Sequence, residues 1–120
     1  MLFRSAVVSA VPFDRLARLC SDALRRADRR LRDLDAIETS PIVGVHLRYP
    51  ARVLATPHLV LPGRATQWLF DKGVDAEGRQ HVHAVISGAE AWMDLPEADI
   101  AARVHADVQW ACPEIGRAHV

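Results

Sequence analysis

Apolar residues recur every three or four positions in the first third of the chain and every second position after residue 40, and that change of period divides it. Leu16, Leu19, Cys20, Ala23, Leu24, Ala27, Leu31 and Leu34 form one stripe at helical spacing, with Arg15, Arg18, Asp22, Arg25, Arg26, Arg29 and Arg30 on the other side. The spacing predicts a single amphipathic helix. Ahead of it, residues 6–11 (AVVSAV) are a continuous apolar run closed by Pro12, the pattern of a strand buried on both faces in a parallel sheet.

Beyond Pro41 the twofold period puts Val43, Val45, Leu47 and Tyr49 on one face and Ile42, Gly44, His46 and Arg48 on the other. Residues 50–57, bounded by Pro50 and Pro57, interrupt the pattern, and a second strand is expected at 58–61. Pro62-Gly63 signals a turn, after which Thr66, Trp68 and Phe70 share a face. The segment from Gly73 to Gly78 closes a hairpin. Its return strand, 81–87, turns Val82, Ala84 and Ile86 to the core and His81, His83, Val85 and Ser87 away from it. Asp94 is the expected N-cap of a last helix, with Pro96 in its first turn, Glu97 three residues on, and a stripe of Ile100, Ala101, Val104, Val108 and Ala111. The fold class expected is α+β: a strand-helix unit, a four-stranded antiparallel meander, then a helix.

Half of the 120 residues are hydrophobic, enough for one packed core. Fifteen bases balance fifteen acids, so charge makes no case for nucleic acid. Asp14, Asp22 and Asp28 stand four residues before Arg18, Arg26 and Arg32, so the arginine run reads as a solvated helix face rather than an anion site. No apolar run approaches the roughly 18 residues of a membrane span, and the N-terminal apolar run is too short for a signal peptide, so a cytoplasmic location is expected.

Candidate chemistry is sparse. His81 and His83, two apart on a strand, point the same way and could both reach one zinc ion, but a third ligand is missing; His46 and His58 lie on other strands. A histidine pair without metal is the favoured reading. Cys20 lies on the apolar stripe as a core thiol, and Cys112 has no metal or redox partner at a telling spacing. Trp68 and Phe70 either pack in the core or line an apolar cavity. The six glycines never fall in a dinucleotide-loop or P-loop spacing.

The ordered segments SPIVGVHL, LPGRATQWLFDKG, HVHAVIS and AWMDLP resemble the middle of flavin-dependent desaturase-like enzymes. They are most similar to the squalene-associated group, including hydroxysqualene dehydroxylases, of the flavin amine oxidase and phytoene desaturase superfamily. AVVSAVP with its following helix resembles the end of that superfamily's FAD domain, and the likeness spans most of residues 5–112.

The resemblance implies a two-domain FAD oxidoreductase, in which 1–38 close the FAD domain and 39–113 belong to the substrate domain. It implies a squalene-type polyisoprenoid as substrate, dehydroxylation or desaturation in hopanoid or terpenoid synthesis, and peripheral association of the parent with the membrane that holds its substrate. Ala10, Val11 and Pro12 match a region that approaches the flavin, and Trp68 and Phe70 a region that faces substrate; no acid, base or nucleophile carries over. The glycine loop and C-terminal FAD segment of the family have no counterpart here, so the chain is expected to be an internal fragment that does not bind FAD tightly. Residues 114–120 (EIGRAHV) resemble a translated sequencing-library adapter, which takes functional weight from His119. The alternative is a self-contained, non-catalytic α+β binding or dimerisation domain, suggested by the unbroken periodicity.

Overall fold

A computed structural model describes residues 6–113, which divide into two compact units between Thr39 and Ser40. The class is α+β, with a four-stranded antiparallel sheet and a C-terminal helix.

In the first unit the expected single helix is three short ones, α1 (Phe13–Leu19), α2 (Asp22–Ala27) and α3 (Arg29–Arg32), followed by a 3₁₀ turn at Leu34–Ala36. Two side chains explain the breaks. Ser21 Oγ accepts from Leu24 N (3.3 Å), and the Asp28 carboxylate accepts from Arg30 N (2.9 Å), so each caps a new helix where the previous one stops. The stripe is correspondingly broken: Ala17 and Leu34 are buried, whereas Leu19 and Leu24 are exposed.

Of the expected ion pairs only Asp14–Arg18 forms, at 3.3 Å. Asp28 pairs instead with Arg30, whose side chain holds the carboxyl down at about 2, and Arg25 reaches Asp35. Residues 6–11 carry no strand, and Val7 and Val8 are exposed. A parallel strand needs neighbours to take its backbone bonds, and the described residues of this unit contain no other strand.

The second unit holds β1 (Ile42–Tyr49), β2 (His58–Val60), β3 (Trp68–Val74) and β4 (Gln80–Ser87), a 3₁₀ turn at Glu90–Trp92, and α4 (Glu97–Ala111). The strand order is β1-β4-β3-β2, so the expected meander is corrected at its first step. Strands β2 to β4 are joined by hairpins, but β1 pairs with β4, as in a Greek key. The eight residues from Pro50 to Pro57 are too long and too proline-bound for a tight hairpin.

That connection is held by one buried side chain. Gln80 Oε1 accepts from Val53 N (2.7 Å) and Leu54 N (2.8 Å), and its Nε2 donates to Leu54 O (2.8 Å).

Helix α4 covers one face of the sheet. Ile100, Val104 and Val108 meet Val43, Val45, Leu47, Leu69, Val82, Ala84 and Ile86, and Trp92, Ala89, Leu54 and Leu61 close the rim. Val82, Ala84, Leu69 and Val104 have no exposed surface. The strand alternation and the α4 stripe therefore fall as their periods require.

Asp94 is not the cap. Pro96 occupies that position with extended backbone, and its carbonyl accepts from Asp99 N (3.0 Å) and Ile100 N (3.1 Å). Glu97 and Asp99 place negative charge in the first turn instead.

Replacing Gln80 by Leu leaves two N–H groups and a carbonyl without partners. Gln80→Leu should lower the unfolding free energy by about 3 kcal/mol, read from the urea midpoint with the slope unchanged.

Candidate functional site on the open sheet face

Because alternate side chains of a strand leave on opposite faces, burying Val82, Ala84 and Ile86 under α4 sends His81, His83 and Val85 to the other side. The same holds on β1 for Gly44, His46 and Arg48. Registration does the rest. His46 lies opposite His83, His83 opposite Phe70, and Phe70 opposite His58, so four flat rings form one row across β1, β4, β3 and β2.

His46, His83 and Phe70 follow one another along the row, and His58 meets Trp68. His46 stacks on His83 with centroids 4.3 Å apart and planes 4° from parallel, and Phe70 lies 6.3 Å from His83. Trp68, one register step away, stacks on Phe70 at 5.8 Å and faces His58 at 6.1 Å. His81 joins from the other side, its Nε2 2.8 Å from His46 Nδ1, which is a hydrogen bond between two imidazoles.

Trp68 and Phe70 thus stand on the sheet face opposite the core. Leu69, between them, is the core residue, and Trp68 is 39 % exposed. Their shared face was correctly expected; which face points to the helix was not, because Thr66, Trp68 and Phe70 are as suited to a core as Leu69 is. Thr66 itself, before β3 begins, is fully buried with its hydroxyl unpartnered among the described residues, while its N–H donates to Asp107 (3.0 Å).

Gly44 has a specific reason to be glycine. A Cβ built there would stand 2.8 Å from His83 Nε2, so the bare backbone of β1 is what lets His83 lie flat against His46.

Burial pushes His81 and His83 below the ordinary histidine range. The neighbouring positive groups add to this: His46, Arg48 and Lys72 for His81; His46, Lys72 and His81 for His83. His81 and His83 are therefore held toward their neutral forms. The hydrogen bond between the two rings uses one proton between two nitrogens, leaving His46 Nδ1 and His81 Nε2 spent on each other.

The zinc reading gains nothing from this geometry. Among the described residues no three His, Cys, Asp or Glu side chains form a group that could hold a metal ion. Cys20, at the C-terminal cap of α1, is half-buried, and its N–H donates to Leu16 O (3.1 Å). Cys112 is half-buried as well, and burial pushes its thiol up. Tyr49 is paired at 3.0 Å with His105 Nδ1, and burial raises its hydroxyl to about 12.

In the first unit, Ala10, Val11 and Pro12 are exposed and precede α1. The Pro12 carbonyl accepts from Arg15 N and Leu16 N. His119 and residues 114–120 lie outside the described residues. Among the described residues no helix is long and apolar enough to cross a membrane.

Comparison with protein-family models, with curated proteins and with solved structures finds no match to this chain.

Two outcomes follow from the row. For a base whose pKa is lower folded than unfolded, the unfolded chain binds protons first as pH falls, so stability is full above about pH 6.5 and declines below it. The urea midpoint should therefore drop between pH 7.5 and pH 5, and His81→Gln with His83→Gln should flatten that drop; an unchanged slope would refute the assignment. Gly44→Ala should displace the His83 ring at a cost of about 1 kcal/mol, visible as loss of the ring-current shift between His46 and His83 in proton NMR.

Proposed function

We propose that the chain is part of an FAD-dependent oxidoreductase of the flavin amine oxidase and phytoene desaturase superfamily, and that its second unit supplies one wall of a pocket for a squalene-type polyisoprenoid. The observation that carries this reading is the uncovered face bearing Trp68 and Phe70, the two residues that the ordered resemblance assigns to substrate. Flat aromatic rings offer an isoprenoid chain apolar area without hydrogen-bond donors that the chain cannot use.

The described residues do not fit FAD itself. Ala10, Val11 and Pro12 lead into a seven-residue helix whose first turn carries Asp14, a carboxylate where a pyrophosphate would need a donor. The phosphates of the cofactor are assigned to other parts of the enzyme. In such an enzyme the flavin supplies the hydride chemistry, for dehydroxylation of a hydroxysqualene or for desaturation. The open face contributes binding and exclusion of water.

A second reading, a non-catalytic α+β binding or dimerisation domain, is favoured by a different observation. The core of Tyr49, Leu54, Leu61, Leu69, Val82, Ala84, Ile86, Val104 and Val108 lies wholly within the second unit.

Titration of the 120-residue chain with squalene carried in cyclodextrin, against empty cyclodextrin, separates the two. Saturable blue-shifted tryptophan emission that disappears in Trp68→Phe is the expected result. A response that survives Trp68→Phe, or none at all, together with a dimer in sedimentation equilibrium, would favour the second reading.

A further inference from the structure

On α4, Arg103, Ala106, Asp107 and Trp110 recur at three- and four-residue steps, a second stripe beside the core stripe of Ile100, Val104 and Val108. Arg103, Ala106 and Asp107 of this stripe border a cavity of about 380 Å³, whose other walls are the Gly63–Ala65 turn and Trp92. Gly63 holds a left-handed backbone (φ +75°), with nothing within 4 Å of where a Cβ would stand, so this wall of the cavity is bare backbone.

Among the described residues Asp107 is the only acid bordering the cavity, and it is committed. Its Oδ1 accepts from Arg64 Nε (2.8 Å) and lies 2.7 Å from the Arg64 Nη2, while its Oδ2 accepts from Thr66 N. Asp107 is itself buried, so the two contacts of Arg64 to its one oxygen, Oδ1, hold the guanidinium over the Trp110 ring, 5.0 Å from its centroid. Arg103 sits 5.6 Å from the centroid of Trp92 and has no carboxylate within 4.0 Å among the described residues. Among the described residues the cavity therefore holds two guanidinium groups against one carboxylate, each guanidinium beside an indole ring.

We propose that this cavity is a phosphate-binding site, with Arg103 as its free cation and Arg64 as a pre-oriented second donor. Guanidinium groups match the oxygen spacing of phosphate, and an unneutralised positive charge beside a fixed one is stabilised by a bound dianion or monoanion. Asp107 is a positioning residue that holds Arg64 through its buried carboxylate. The same phosphate chemistry is offered by a free phosphate compound and by the headgroup of an anionic lipid, and Trp110, 58 % exposed beside Arg64, suits either.

The test follows the arginine Nε–H and indole Nε1–H resonances of the 120-residue chain during titration with inorganic phosphate, matched in ionic strength by chloride. Saturable shifts at Arg64, Arg103, Trp92 and Trp110, weakened about tenfold or more in Arg103→Gln, are expected. Arg103 is exposed and pairs with no acid among the described residues, so this variant should keep the far-UV circular dichroism of the parent; Arg103→Lys should restore part of the affinity. Co-sedimentation with phosphatidylcholine vesicles containing phosphatidylglycerol, but not with phosphatidylcholine alone, and lost in Arg103→Gln, assigns the phosphate to lipid. Phosphate shifts without co-sedimentation assign it to a soluble compound. Shifts reproduced by chloride, or undiminished in Arg103→Gln, overturn the proposal.

Discussion

Everything distinctive about the second unit depends on a sheet covered by one helix on one side only. Once Val104 and Val108 of α4 fix Val82, Ala84 and Ile86 beneath them, the two-residue period of β4 leaves no freedom for its remaining side chains. A slip of one residue in β4 would bury His81, His83 and Val85 and expose the present core. The imidazoles and the core are thus specified by one and the same register.

The Greek-key order has an equally local origin. Eight residues bounded by two prolines separate β1 from β2, and the freed end of β1 finds its partner in β4. Without that pairing His46 would stand at a distance from His81 and His83. With it, His46 meets both, and Gly44 leaves room for the stack. Gln80 ties the connection to the sheet with three bonds from one amide, so a buried polar group here fixes topology as well as satisfying backbone.

Much of this was legible in the sequence. The faces of β1 and β4, the two hairpins and the α4 stripe all follow from apolar spacing, because amphipathic elements bury one side. The arrangement of β1 beside β4 was not legible, since spacing within strands carries no information about which strands pair. The face of Trp68 was ambiguous because Trp68, Phe70 and Leu69 are all apolar and only the position of α4 distinguishes them. The first unit failed for a different reason: the helical stripe is present, but Ser21 and Asp28 offer the backbone side-chain oxygens at two points, and those local bonds compete with a continuous helix. Asp107 was hidden by its type, an acid between Ala106 and Val108 whose burial makes sense only once Arg64 is brought 43 residues back in sequence to meet it.

The two faces of the unit have different physical characters. On the open face the charged forms of His81 and His83 are disfavoured by burial and by neighbouring cations, and the centre of the surface is aromatic. On the helix side a buried carboxylate has the opposite effect, holding one guanidinium in place while a second remains unneutralised. The proposed isoprenoid surface and the proposed phosphate cavity thus fall on opposite sides of one sheet, separated by the core that α4 closes.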